Sequence, residues 1–447
     1  MTQLAFSIPT NHQIRLKDKI MIINSLNGHN HIFRDSEYKL LLDTLGIKML
    51  KPGNYSITID SSIAKLILHC LIKGVFINKE KTINRVYINE TDSIPISVYL
   101  FMGNQCNLKC VYCYRDSSFS SEKGIKYNVD IVKARTVVKT IKDIGTKEIV
   151  FTGGEPLLVK EVYELGDYAK SLGLSTCILT NGTLITEQNI EKLKSFDVIK
   201  ISLDSIIISE NDITRGVGST NNILRGIRLA KTAGFRVIVE CVVSSINYNS
   251  IEDTITSLYN NENVNEVRLV YMIPEGRGKN NPYLLNEPYN EVQKRLCNIQ
   301  INAMNDRYFD YLCKLVPSRN TLFKGCGAGI KELLVDLNGG TYPCRMFHYD
   351  EMYMGNLLYE SLSQMHKKEQ FQKFRTDIMI DNINDCKNCE IKYICAGGCR
   401  PSHKGYSGDL KINNEKWCSM LQESFEQILW LRENINPVTG EFLYLKE

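Results

Sequence analysis

The sequence contains no apolar run long enough to cross a membrane. Its longest apolar stretches, such as residues 63–72, are interrupted by Lys and His, and they are far shorter than the roughly 20 residues of a spanning helix. The N-terminus has no basic segment followed by a long apolar run, so a secretory signal is not expected. These absences predict a soluble, cytoplasmic protein without a membrane partner.

A strong charge of either sign is missing as well. The 447 residues carry 54 Lys and Arg against 50 Asp and Glu, which gives a formal net charge of +4. This balance argues against a nucleic-acid partner. No low-complexity segment is present, and 43% hydrophobic residues are enough for a sizeable core in two or three domains.

Cysteine, in contrast, is abundant. The 15 cysteines cannot be a disulfide framework in a cytosolic protein, because that compartment keeps thiols reduced. Either they are scattered core residues or many of them bind metal. Ten fall into groups with ligand-like spacing, and five stand apart: Cys70, Cys177, Cys241, Cys297 and Cys313.

Residues 1–95 are predicted to form a small module of strands and helices. Asn27-Gly28 is a strong turn signal between two short apolar runs, which predicts a hairpin over residues 19–34. A helix, a further strand and a second helix follow. This order resembles a winged-helix-like module, and a plain structural extension is the alternative.

Residues 96–300 alternate short apolar runs with amphipathic stretches. Such alternation predicts a parallel sheet with right-handed crossovers, and six strand–helix units predict an α/β fold with a partial (β/α)6 TIM-like barrel. The predicted strands are residues 96–102, 148–151, 176–179, 198–203, 236–243 and 266–272. Residues 310–430 have weaker periodicity and most of the remaining cysteines, as expected for a domain held by metal, and residues 431–447 form a C-terminal tail.

The first cysteine group directly follows the first predicted barrel strand. Cys106, Cys110 and Cys113 can hold three irons of a [4Fe–4S] cube. The fourth iron then lacks a protein ligand and can bind a small chelating molecule. A zinc site would usually bring a fourth Cys or His nearby, and neither Tyr114 nor Arg115 supplies one.

This C-x3-C-x2-C spacing, with an aromatic residue before the last Cys, resembles the signature of the radical S-adenosylmethionine (SAM) superfamily. Further residues match the family pattern at the ends of successive predicted strands, where barrel folds build active sites. They are Gly153, Gly154, Glu155 and Pro156, then Asn181, then Ser202 and Asp204, and finally Arg215.

The resemblance implies roles for these residues. The Gly153-Gly154-Glu155 loop would lie against the amino group of SAM, and Tyr112 would lie near the adenine, largely through its backbone. Ser202 and Asp204 would contact the ribose or carboxylate of SAM, and Arg215 would pair with the carboxylate. The alternative for Asp204 and Arg215 is a structural ion pair. Reduction of SAM would generate a 5′-deoxyadenosyl radical that abstracts hydrogen from a substrate.

The C-terminal cysteines resemble the seven-cysteine pattern of the SPASM domain, which carries two auxiliary [4Fe–4S] clusters. The resemblance implies two ligand sets. One contains Cys386, Cys389, Cys395 and Cys418, and the other contains Cys326, Cys344 and Cys399. A zinc ribbon would use only Cys386, Cys389, Cys395 and Cys399.

The second ligand set lacks a clear fourth member. Cys313 is a candidate, although a lone Cys is more often a buried hydrophobic residue. The hypothesis is an open iron on this cluster that can bind a substrate thiolate. Three [4Fe–4S] clusters and SAM are the expected cofactors.

The three-part layout resembles maturases of ribosomally synthesised peptides that form thioethers, of the subtilosin type. It implies that the N-terminal module binds the leader of a precursor peptide by strand pairing and that a Cys sulfur is joined to a carbon of an acceptor residue. Carbon–carbon or carbon–oxygen cross-linking and sulfatase-type formylglycine formation remain alternatives. A non-enzymatic electron carrier is a further one. A reductase such as flavodoxin or ferredoxin is the expected electron donor.

Overall fold

The computed structural model describes residues 3–9, 11–24, 30–58, 63–72, 75–78, 94–119, 129–279, 281–282, 324–389, 391–415, 417–419, 421–422 and 430. Among them, no helix is both long and apolar enough to cross a membrane.

The N-terminal region forms two small antiparallel sheets with two helices. Its elements are β1 (Gln3–Ile8), β2 (Asn11–Leu16), β3 (Lys19–Asn24), β4 (Asn30–Arg34), α1 (Asp35–Leu45), β5 (Gly53–Thr58), α2 (Ala64–Ile72) and β6 (Ile77–Asn78). β1 lies between β5 and β6, and β3 lies between β2 and β4. The predicted hairpin corresponds to β3 and β4, whereas β1 and β2 were not predicted. The Asn27-Gly28 turn lies outside the described residues.

The sheet of β2, β3 and β4 joins this module to the rest of the chain. Ile20 and Ile22 of β3 pack in the module's own core, whereas Met21 packs with Ile14 in the main core of the protein. Since neighbouring residues of a strand point to opposite faces, one face of this sheet covers the module and the other faces the barrel.

The central region contains the six predicted barrel strands, with bounds that differ by one or two residues at most. The elements are β7 (Ser97–Phe101), β8 (Gln105–Cys106), β9 (Ser118–Phe119), α3 (Ile131–Asp143), β10 (Glu148–Thr152), α4 (Val162–Ser171), β11 (Ser175–Thr180), β12 (Val198–Ser202), α5 (Ile208–Arg215), α6 (Ser219–Thr232), β13 (Arg236–Val243), α7 (Ile251–Asn260) and β14 (Glu266–Tyr271). A 3₁₀ helix, Ile190–Ser195, connects β11 to β12.

Parallel pairing sets the order β7, β10, β11, β12, β13, β14 across the sheet. Residues such as Leu100 and Phe151 are fully buried in the same core as Val137 of α3. Alternate residues on the other face include Ser202 and Glu240, which occupy matching positions of β12 and β13. The helices therefore cover the apolar face, and the polar face lines the inside of the barrel. The predicted partial barrel is confirmed.

The cysteine-rich region continues the barrel sheet, which was not predicted. Its elements are β15 (Glu332–Asp336), β16 (Gly340–Tyr342), β17 (Gly355–Asn356), α8 (Leu362–Lys367), α9 (Glu369–Asp377), α10 (Asn384–Lys387), α11 (Lys392–Cys395) and α12 (Arg400–Ser407). β15 pairs in parallel with β7, and β16 and β17 follow in antiparallel order. This arrangement brings the C-terminal cysteines next to the mouth of the barrel.

Candidate active site

A cavity of about 430 Å³ lies at the carboxyl ends of the barrel strands. Most of the residues predicted to bind a cluster or SAM line it: Cys106, Cys110, Tyr112, Cys113, Gly153, Gly154, Asn181, Ser202 and Arg215. The cysteine-rich region closes the other side with Arg345, Met346, Cys399, Ser402 and Trp417. The volume falls within the range of small-molecule sites.

Arg277 holds the loop that carries Cys106, Cys110 and Cys113. Its Nε donates to the carbonyl of Cys110 at 2.9 Å, and its backbone N–H donates to the carbonyl of Cys113 at 3.0 Å. Its Nη1 also donates to the carbonyl of Ser117 at 2.9 Å. Sequence analysis missed this residue, although its place in Gly-Arg-Gly just after β14 was a usable signal.

The thiols of this loop fit an iron–sulfur cube. Burial raises the pKa of Cys106 to about 12 and that of Cys110 to about 11, so iron must displace their protons on binding. In the described part of the chain, no three Cys, His, Asp or Glu side chains converge on one metal-ion position. A cube does not require convergence, because each thiolate binds a different iron.

Gly154 locks the next loop against the cysteine loop. Its N–H donates to the carbonyl of Gly103 at 2.8 Å, and the N–H of Glu155 donates to the carbonyl of Gln105 at 2.8 Å. A Cβ atom on Gly154 would lie 2.2 Å from the oxygen of Gln105, directly before Cys106. Only glycine therefore allows this approach of the two backbones.

Gly154→Ala should displace the cysteine loop and reduce both the iron of the first cluster and SAM cleavage, by tenfold or more for a shift of roughly 1 Å. Gly53→Ala is the matched control, because a Cβ atom there meets only the Tyr55 side chain, at 3.4 Å or more. Iron content and 5′-deoxyadenosine formation measure both variants. Normal values for Gly154→Ala would contradict the prediction.

Glu155 and Pro156, in the same loop, do not line the cavity, and their predicted contact with SAM stays a prediction. The Glu155 carboxylate accepts hydrogen bonds from Leu157 N at 3.0 Å, Thr180 Oγ1 at 2.8 Å and Asn181 N at 2.7 Å. It is 1% exposed, and burial raises its pKa to about 7. Pro156 begins a buried 3₁₀ turn. Within this loop, only Gly153 and Gly154 line the cavity, and the Glu155 carboxylate holds the end of β11.

Asp204 is fully buried and does not line the cavity. Its Oδ1 pairs with Arg215 Nη2 at 2.8 Å and accepts from Val242 N at 3.0 Å. Its Oδ2 accepts from Thr214 Oγ1 at 2.7 Å and from the Tyr112 hydroxyl. These contacts are those of the structural ion pair that was the alternative for Asp204 and Arg215, and the contact of Asp204 with SAM stays a prediction.

Arg215 retains a donor for a ligand. Burial alone would lower its pKa, but the nearby charge of Asp204 outweighs this effect and raises it. Its Nε is buried without an acceptor among the described residues, and the side chain lines the cavity. An anionic group such as the carboxylate of SAM fits this guanidinium.

Arg115 links the cysteine loop to the cysteine-rich region. Its Nη1 donates to His348 Nδ1 at 2.9 Å, and its Nη2 donates to the carbonyl of Arg345 at 2.9 Å. Burial, together with the charge of Arg115, lowers the pKa of His348 to about 4. His348 is therefore a neutral acceptor at physiological pH.

Glu240 and Arg345 add two opposite charges to the lining of the cavity. Burial alone would lower the pKa of the Arg345 guanidinium. The nearby acidic groups, among them Glu240, outweigh burial and raise it. Within the described ranges, neither side chain forms a hydrogen bond or an ion pair, and the Arg345 guanidinium lies 5.5 Å from the centre of the Tyr99 ring. Sequence analysis missed both residues.

The C-terminal cysteines interact electrostatically within two groups. The charges of Cys326 and Cys399 act on Cys344, whereas Cys386, Cys389 and Cys418 act on Cys395. Burial raises the pKa of Cys395 to about 12 and that of Cys418 to about 11. The individual ligand assignments stay predictions, and Cys313 lies outside the described residues.

The fold and this cavity define a class: an iron–sulfur enzyme built on a partial α/β barrel. Comparison with known families identifies it further. Residues 100–258 match the radical SAM superfamily, and residues 326–390 match SPASM, an iron–sulfur cluster-binding domain. The chain is a radical SAM enzyme with an SPASM domain. Its cofactors are SAM, a [4Fe–4S] cluster in the barrel and auxiliary iron–sulfur clusters in the SPASM domain.

Three relatives illustrate the range of similar proteins. The AdoMet-dependent heme synthase of Nitratidesulfovibrio vulgaris is 28% identical over 70% of this chain and 89% of its own. The antilisterial bacteriocin subtilosin biosynthesis protein AlbA of Bacillus subtilis is 26% identical over 76% and 74%. The crystal structure of Streptococcus suis SuiB bound to the precursor peptide SuiA has a TM-score of 0.60 and 14% identity, covering 91% of this chain and 99% of that one.

Proposed function

We propose that this enzyme installs a cross-link in a ribosomally synthesised peptide, a thioether between a Cys sulfur and a carbon of an acceptor residue. One observation carries the proposal. A single cavity is lined both by the three-cysteine loop and by Cys399, a candidate ligand of an auxiliary cluster. A substrate in this cavity would therefore lie between the radical source and an electron acceptor.

When bound, the cluster and SAM supply a radical that removes one hydrogen atom from the substrate. The chain's own residues do the rest: Gly153, Gly154, Asn181, Ser202 and Arg215 hold SAM beside Cys106, Cys110 and Cys113. Formation of the carbon–sulfur bond releases the thiol proton and one electron, and an auxiliary cluster held by Cys399 and the other cysteines of its set would supply the acceptor for that electron. The substrate loses two hydrogens in total.

The part of the cavity lining that contains Glu240 and Arg345 suits a peptide. Glu240 can accept from a peptide N–H and Arg345 can donate to a peptide carbonyl, because neither side chain forms a hydrogen bond or an ion pair among the described residues. The similar proteins support a peptide substrate, since one of them acts in subtilosin biosynthesis and another has a structure with a bound precursor peptide. We further propose that the N-terminal module binds the leader peptide at a strand edge of its β2–β4 sheet and that flavodoxin or ferredoxin supplies electrons.

Co-expression with a short cysteine-bearing peptide, if a neighbouring reading frame encodes one, tests the proposal. Mass spectrometry should show the loss of two hydrogens per bond, and alkylation should show one fewer free thiol per bond. The same mass loss with every thiol intact would instead indicate a carbon–carbon or carbon–oxygen cross-link. An aldehyde at a single Cys or Ser would indicate formylglycine.

A porphyrin substrate is the second candidate, because of the similarity to heme synthases. Incubation with an iron porphyrin, SAM and dithionite tests it, and porphyrin turnover without peptide modification would overturn the peptide proposal. An electron carrier would form no 5′-deoxyadenosine with either substrate.

A further inference from the structure

Arg400 is a buried cation without an acidic partner in the part of the chain that the structure describes. Its side chain is fully buried at the first position of α12, directly after Cys399. Nη1 donates to the carbonyl of Leu410 at 3.1 Å and Nη2 donates to Asn413 Oδ1 at 2.6 Å, both neutral groups. Nε has no acceptor among the described residues. A buried charge of this kind is costly unless a counter-charge lies nearby.

The two cysteine sets supply that counter-charge. The backbone N–H of Arg400 acts on the Cys326 sulfur. Its guanidinium acts on cysteines of both sets, first on Cys386 and then on Cys326, but its one side-chain connection to a cysteine sulfur among the described residues leads through Asn413 to Cys386. Asn413 extends the contact, because its Nδ2 donates to Cys386 Sγ at 3.2 Å while its Oδ1 accepts from Arg400.

We propose that Arg400, aided by Asn413, raises the reduction potential of the auxiliary cluster at Cys386, Cys389, Cys395 and Cys418. Reduction adds one electron to this cluster and neither makes nor breaks a covalent bond. A fixed positive charge and an N–H···S hydrogen bond both stabilise the reduced form over the oxidised form. Arg400 is thus a positioning residue. By raising this potential it would favour electron transfer from the cluster of the Cys399 set to the cluster of the Cys386 set. The inference rests on the proposed ligand sets and not on the identity of the substrate.

The test is an EPR-monitored redox titration of the anaerobically reconstituted full chain, with added SAM to mark the signal of the first cluster. Arg400→Gln should lower the potential of the Cys386 cluster more than that of the other auxiliary cluster, and it should leave the iron content and the potential of the first cluster unchanged. Arg400→Lys keeps the charge and should give a smaller shift.

Arg375→Gln is the matched control. The Arg375 guanidinium donates to the carbonyls of Cys326 at 2.6 Å and Ala328 at 3.1 Å, beside the other set. Its removal should leave the potential of the Cys386 cluster unchanged. An unaltered potential in an iron-complete Arg400→Gln protein would overturn the proposal, and so would equal shifts of both auxiliary clusters.

If Arg400→Gln does not retain its iron, the same titration of the Asn413→Leu variant tests the proposal instead. This variant removes the hydrogen bond to Cys386 and should lower the same potential, whereas an unchanged potential would refute the proposal. Because the titration needs no peptide, failure of the peptide proposal would leave its result intact.

Discussion

Simultaneous replacement of Cys106, Cys110 and Cys113 by alanine should reduce 5′-deoxyadenosine formation to background. The three thiols line the cavity together with Gly153, Gly154 and Arg215, and without them no iron can face SAM at this position. The iron content should fall by about four atoms per chain, the content of one [4Fe–4S] cube, while the auxiliary clusters remain.

Cys241→Ala is the control for this variant. Cys241 is fully buried in the main core on β13 and does not line the cavity. Its replacement should leave the iron content and SAM cleavage intact and cost only packing energy. Continued SAM cleavage by the triple variant would contradict the assignment of this loop and, with it, the proposed mechanism.

Asp204→Ala should lower the free energy of unfolding by about 3–5 kcal/mol, because it leaves the Arg215 charge buried without its partner. Asp204 is fully buried and Arg215 is 5% exposed, and the same carboxylate also accepts from Thr214, Tyr112 and Val242. Denaturant titration of the anaerobic protein measures the loss. SAM affinity should fall as well, since Arg215 loses the group that orients it.

Two further variants define the cause of this loss. Asp143→Ala removes an exposed ion pair with Lys139 and should change stability little. The double variant Asp204→Leu/Arg215→Met removes both buried charges and should recover much of the stability. If Asp204→Ala were as stable as Asp143→Ala, the ion pair would not have the structural role described for it.

The six barrel strands could be predicted because their signals are local. Short apolar runs alternate with amphipathic stretches, and each run forms its strand from its own residues. The cysteine spacing was equally informative, since the three cluster ligands of loop 106–113 all lie in one short segment. The parallel pairing of β15 with β7 was not predictable in this way. Residues 332–336 are a short run in a region of weak periodicity, and their partner lies more than 200 positions away.

Contacts between segments that are distant in the sequence also explain the residues and the pairings that were not foreseen. The Asp204 motif matches the family pattern at a strand end, but only the packed structure shows that Arg215 and Tyr112 occupy its oxygens. Arg277 acts on a loop about 160 residues before it. Neither relation leaves a trace in residue spacing.

By itself, the sequence determined the chemistry: three thiols on one loop, two further cysteine sets and the order of strands that carries them. Only the tertiary structure decided which charges meet. Arg215 pairs with Asp204, and the Arg400 guanidinium interacts with cysteines of both C-terminal sets. Glu240 and Arg345 line the cavity without an ion pair among the residues that the structure describes. The physical reason is that cluster ligation depends on spacing within a short segment, whereas burial and pairing of charges depend on contacts between segments distant in the chain.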